Sequence, residues 1–177
     1  GFCLVGSEMC IRDRVKAGST MTGNGNTNAK PEVLVALGSL ATNLGQATID
    51  SVDFNLDSFD VSAGGDIKVD IHYNEQVTVA GGSPLMVVTN GQQGSGSAAN
   101  FTLTMDGSLP LTSDKLTFSV NVGAAAGTVG AGDVLTVGAQ TVDLNGSTMV
   151  DTVGGGNAER AISAAQGTAA GSVTAVA

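Results

Sequence analysis

The strongest signal along the chain is strict alternation of apolar and polar residues. Ile67, Val69, Ile71 and Tyr73 take one parity, while Lys68, Asp70, His72 and Asn74 take the other. Leu116, Phe118, Val120 and Val122 repeat the pattern against Lys115, Thr117, Ser119 and Asn121. Phe101, Leu103 and Met105 alternate with Asn100, Thr102 and Thr104. Successive side chains on a strand face opposite sides, so this period predicts sheets with one wet face. Shorter candidate strands lie at 49–54, 85–89, 134–137, 141–144 and 148–150. Between them, Asn90-Gly91, Asp106-Gly107 and Asn145-Gly146 supply turn chemistry, because Gly and Asn tolerate positive φ. About seven to nine short strands at this spacing predict an all-β fold, an antiparallel β-sandwich. Its expected core holds Ile67, Val69, Ile71, Leu116, Phe118 and Val120.

The flanks are less regular. Residues 15–46 read as a linker or arm with one ambiguous element. Within it, Val33, Leu37, Leu40, Ala41 and Leu44 fit one helical face, with Pro31 and Glu32 suited to a first turn and Gly45 to a stop. Residues 32–37 also read as a short buried strand, which the β character of all that follows favours. Residues 123–132 (GAAAGTVGAG) and 154–156 are low-complexity loops. The small-residue tail, 164–177, is expected to be mobile or to add a last edge strand. The sandwich itself is expected over 47–163.

The first fourteen residues change how composition is read. EMCIRDR, Glu8 to Arg14, resembles the translation of a transposon-end adapter used to prepare sequencing libraries, so residues 1–14 are expected to be a non-native scar. A signal peptide fits poorly: the apolar stretch from Phe2 to Val5 is short and runs into Glu8, Arg12, Asp13 and Arg14. Both cysteines, Cys3 and Cys10, lie in this piece, which leaves the rest without thiol chemistry or disulfides. The net charge of −9 is unaffected, since the scar carries two acids and two bases. Lys16, Lys30, Lys68, Lys115 and Arg160 are scattered singly, whereas a phosphate backbone needs clustered cations. Nucleic acid is therefore not an expected partner. No apolar run reaches the roughly 20 residues of a membrane-spanning helix.

Catalytic signals are weak. His72 is the sole histidine and sits mid-strand on the polar face, where a solvated side chain is expected. Gly94-Ser95-Gly96-Ser97 lacks the strand-to-helix setting of a nucleophile elbow and reads as a hairpin loop. The Gly-rich runs are not followed by Gly-Lys-Ser/Thr and are not phosphate loops. Asn100-Phe101-Thr102 and Asn145-Gly146-Ser147 are glycosylation sequons with nothing to show that they are used. No enzymatic activity is expected.

From Gly65 onward a set of motifs accumulates: GDIKVDIHYNEQVTV at 65–79, SPLMVV at 83–88, KLTFSV at 115–120, AGD at 131–133 and LNGSTMVDTVGGGNA at 144–158. Their order and spacing resemble the bacterial immunoglobulin-like repeats of surface adhesins and some phage virion proteins. Tyr73, Asn74, Glu75 and Val77 match one stretch of that pattern. Leu144, Asn145, Gly146, Thr148, Met149, Asp151, Gly156 and Asn157 match another. Ser147 replaces a Gly of the usual turn, and the loop before Asn157 carries extra Gly. The resemblance covers about 49–163. It implies an Ig-like sandwich outside the cell, a structural or adhesive module of a phage virion or bacterial surface. Its partners would be neighbouring Ig-like or virion and surface subunits, or surface glycans. The alternative is a carbohydrate-binding β-sandwich, which would show exposed aromatics for sugar stacking.

One metal site is a candidate. Ca²⁺ takes about six to eight oxygen ligands from carboxylates, amides and carbonyls in flexible loops. Glu75 and Asp151 end strands in the family pattern, and Asn157 lies in the loop after Asp151, so the three form a candidate Ca²⁺ site. The competing reading is that Asp and Asn form turns by bonding their own backbone, and that reading is favoured.

Overall fold

The computed structural model describes residues 46–177, so the readings made for residues 1–45 lie outside the described residues. The described chain runs β1 (Ile49–Phe54), β2 (Ser58–Asp60), β3 (Gly65–Gly81), β4 (Leu85–Asn90), β5 (Ala99–Met105) and β6 (Leu111–Val122). It continues as β7 (Val134–Thr136), β8 (Gln140–Thr141), β9 (Ser147–Asp151), β10 (Ala161–Ile162), one short helix α1 (Ala164–Ala169) and β11 (Ser172–Val176). The fold is all-β.

Strand β3 is the spine. Its first half pairs antiparallel with β6, with Val69 opposite Phe118 and Ile71 opposite Leu116. On its other side β1 sets Val52 against Ile71. The ladder to β6 then breaks between His72 and Val77, where Tyr73 to Gln76 oppose Asp114 alone. A bulge of this kind bends a strand and increases its twist. Beyond it β3 exchanges β1 for β9, which sets Met149 against Val79 and Asp151 against Val77.

Hydrogen-bonded neighbours follow the order β1-β3-β6-β5-β4-β7-β11-β2, with β9 also on β3, and β8 and β10 form a separate two-stranded sheet. The path bends at β5. That strand pairs with β4 over six consecutive positions but meets β6 only at Thr104–Ser119 and Met105–Phe118. Two leaves result, β1/β9-β3-β6 and β5-β4-β7-β11-β2, around one core. From the first leaf come Ile67, Val69, Ile71, Leu116 and Phe118; from the second come Met86, Val88, Leu103, Leu135 and Val173, all fully buried.

The structure departs from the sequence reading in several places. Val120 is only half-buried, packed against the margin of the core where β5 has already diverged from β6 beyond Ser119. The sandwich is not wholly antiparallel: β11 runs parallel to β2, with Ala175 opposite Phe59. The tail forms an interior strand between β7 and β2 instead of an edge, entered through α1. Ser163 caps α1 by accepting from the Gln166 amide while the Gln166 side chain returns to the Ser163 amide, a capping box. The expected strand at 141–144 is reduced to β8, and β2 and β10 are additional.

Candidate functional site

The centre of one polar network is Asp133, which is fully buried. Its Oδ2 accepts from the Asn90 side-chain amide at 2.8 Å and from the Gly130 N–H at 2.8 Å. Its Oδ1 accepts from the Gly94 N–H at 2.8 Å. Burial pushes the carboxyl up, but the Gly130, Asn90, Gly94 and Gly96 donors together hold it below its usual range. Asn90 is itself buried at the end of β4, and its amide also donates to the carbonyls of Ser97 and Thr128. The pair therefore pins the β4–β5 loop (91–98) to the β6–β7 loop (123–133). Glycine is required here: a Cβ on Gly96 would collide with Asp133 Oδ2, and one on Gly130 with the Gly96 amide. The GSGS run is thus a loop clasped by a carboxylate. Asn90 is both the turn former read from sequence, its Oδ1 accepting from the Gln92 N–H at 2.9 Å, and a buried anchor; the positive φ belongs to Gln92.

The candidate Ca²⁺ residues fall close in the pairing pattern but do not form a closed set. Asp151 is buried and lies opposite Val77, and the Thr152 N–H donates to the Gln76 carbonyl beside half-buried Glu75. Asp151 Oδ1 accepts from the amides of Val153 (2.7 Å) and Gly154 (2.8 Å), the turn-forming use of an Asp. Oδ2 is buried with no hydrogen-bond partner among the described residues. Asn157 is exposed and bridges Val150 through its backbone. Among the described residues no group of three or more His, Cys, Asp or Glu side chains is arranged to hold a metal ion.

The outer face of β1-β3-β6 carries another set of titratable groups. Asp70 accepts from Thr117 Oγ1 at 2.5 Å, Lys115 Nζ at 3.2 Å and Asn55 Nδ2 at 3.1 Å. His72 Nε2 stands 4.0 Å from Asp53 Oδ2, the oxygen to which Ser51 Oγ donates at 2.8 Å. Ser, His and Asp thus meet, but the carboxylate lies between hydroxyl and imidazole. A triad needs the imidazole on the hydroxyl so that it can take the proton. This order activates no nucleophile.

Sequence reasoning missed three side chains that close the sheets. The Gln140 carboxamide accepts from the Val87 N–H at 2.7 Å and donates to the Val87 carbonyl at 2.8 Å, standing in for a strand. Glu159 accepts from the Ile49 N–H at 2.9 Å, and Gln166 donates to the Ile49 carbonyl at 2.8 Å. These contacts join residues 53 to 117 positions apart, so no local pattern announces them. Glu159 and Arg160, with Thr141, Thr148 and Asn157, line a groove of about 400 Å³ that contains no aromatic side chain. Tyr73, Phe59 and Phe118 are buried, and Phe54 and Phe101 are half-buried. Compared with protein-family models, curated proteins and solved structures, the chain matches none.

Proposed function

We propose that the chain is a non-enzymatic immunoglobulin-like module with a structural or adhesive role on a phage particle or bacterial cell surface. The observation that carries this reading is the strand order. An immunoglobulin constant-type sandwich places its first, second, fifth and fourth strands in one sheet and its third, sixth and seventh in the other. Taken in chain order as β1, β3, β4, β5, β6, β7 and β11, the strands follow the path first-second-fifth-fourth-third-sixth-seventh. The first, second and fifth lie in one leaf and the third, sixth and seventh in the other; the fourth, β5, stays with the third, β4, instead of with the fifth. Strand β2 is an addition beside the last strand, and β8 to β10 fill the connection before it. Two further features support a role without chemistry: the buried carboxylate Asp133 is consumed in tying loops, and Ser51, Asp53 and His72 meet in an unproductive order.

The aromatic-free groove weakens the carbohydrate-binding alternative, since sugar recognition relies on stacking against exposed rings. Calcium at Glu75, Asp151 and Asn157 belongs to the proposal as an accessory; the unpartnered Asp151 Oδ2 supports it. The role is tested by applying an antibody against residues 46–177 to intact producing cells and purified particles. Surface labelling without permeabilisation is expected, and label that appears only after permeabilisation would overturn it. A glycan array separates the alternative: specific sugar binding would transfer the chain to that class.

A further inference from the structure

We propose that β5 is a self-association edge, through which two copies of the chain join their second leaves into one continuous sheet. The Met105 N–H donates to the Pro84 carbonyl at 2.9 Å, which fixes the phase of the β4–β5 ladder. In an antiparallel pair, residues alternate between bonding the partner and pointing away from it. Ala99, Phe101, Leu103 and Met105 therefore bond β4, and the N–H and C=O groups of Asn100, Thr102 and Thr104 point outward. Thr104 meets Ser119 of β6, but β6 then diverges. Among the described residues, no backbone bond reaches Asn100 or Thr102 on that side, and both side chains are exposed.

The fold closes comparable positions elsewhere. Gln140 satisfies Val87, and Glu159 with Gln166 satisfies Ile49. The rest of the β1 edge is flanked by exposed Asp50 and Asp53, charges that oppose pairing between copies of an acidic chain. Strand β5 carries no charge, proline or bulge, and its hairpin partner β4 is equally uncharged. Charge thus selects this edge for a like-charged partner, a second copy of the chain. A two-fold axis at Phe101 sets Asn100 opposite Thr102 of the other copy, makes four backbone hydrogen bonds, and places the two half-buried Phe101 rings side by side.

This deepens the structural-module reading by naming its contact surface, and a failure here leaves the surface-labelling test untouched. Sedimentation velocity on the full chain across a wide concentration range is expected to show a monomer–dimer equilibrium. Thr102→Pro removes an outward donor without breaking a bond to β4, so it should leave the far-UV spectrum unchanged and abolish the dimer. Thr102→Lys, a surface change that removes no bond, should weaken dimerisation at least tenfold. In a Cys3→Ser/Cys10→Ser background, Phe101→Cys should form an intermolecular disulfide, because the Cα atoms of a non-hydrogen-bonded antiparallel pair lie about 4.5 Å apart, within the range a disulfide bridges. A monomer at every concentration would overturn the proposal, as would a dimer indifferent to both Thr102 substitutions.

Discussion

Replacing Asp133 with Asn tests whether one buried carboxylate holds the loop end of the sandwich. The side chain keeps its shape but loses one of two acceptor oxygens. If the retained oxygen faces Gly94, the new NH₂ group faces the Gly130 N–H and the Asn90 amide, donor against donor. Hydrogen bonds to a charged group contribute about 1.5–3 kcal/mol each, and buried donors left unpaired cost about as much. Losing two gives about 3 kcal/mol, a large share of the roughly 5–15 kcal/mol expected for a domain. With a urea slope near 2 kcal/mol/M, the midpoint should fall by about 1.5 M. Far-UV circular dichroism suits the assay, since the chain has no Trp. The pH dependence carries its own sign. Because the folded-state pKa of Asp133 lies below its usual value of 3.8, its contribution is fully present above that value and is lost as pH falls through the lower, folded-state value. The variant should therefore lose less stability than the parent on acidification below pH 3.8. Asp60→Asn is the control, because that carboxylate caps only its own exposed turn at Ser62 and Ala63. An Asp133→Asn unfolding free energy within about 0.5 kcal/mol of the parent would refute the clasp, that being the usual range for neutral surface changes.

Phe118 is fully buried opposite Val69 and beside Met105, so Phe118→Ala should cost about 3–5 kcal/mol by chemical denaturation. Gln140→Ala removes both bonds to the Val87 backbone and should cost about 1–2 kcal/mol, with faster amide exchange at Val87. If Ca²⁺ binds at Glu75, Asp151 and Asn157, a hundredfold excess over Kd should add about 2.7 kcal/mol of stability. Glu75→Gln and Asp151→Asn should each remove most of that gain, and Na⁺ at matched ionic strength should not reproduce it. Deleting residues 1–14 should leave the unfolding midpoint unchanged; a drop of several degrees would show that they are part of the fold.

The long strands were legible because their burial alternates over many residues. The spine read as Ile67, Val69, Ile71 and Tyr73 faces the core as expected, as does its partner through Leu116 and Phe118. Val120 was overread because its burial depends on where β5 leaves β6, a tertiary event with no local mark. Strand β2 was invisible: Ser58-Phe59-Asp60 shows one apolar residue, and its pairing comes from β11, more than a hundred positions later. Asn90-Gly91 was legible in part. The Asn90 Oδ1 forms the local turn by accepting from the Gln92 N–H, but its amide also donates to Asp133 and to two loop carbonyls, partners with no local mark. Among the metal candidates, local chemistry prevailed at Asp151, whose Oδ1 serves its own turn, while the buried, unpartnered Oδ2 could only be seen in three dimensions.

The strand order on which the proposed function rests is most directly tested by interstrand nuclear Overhauser effects on isotopically labelled chain. The account predicts contacts linking Val69 to Phe118 and Leu135 to Val173, both in antiparallel register, and Phe59 to Ala175 in parallel register. Antiparallel contacts between β2 and β11, or β11 paired away from β7, would contradict the immunoglobulin-like order and the role inferred from it.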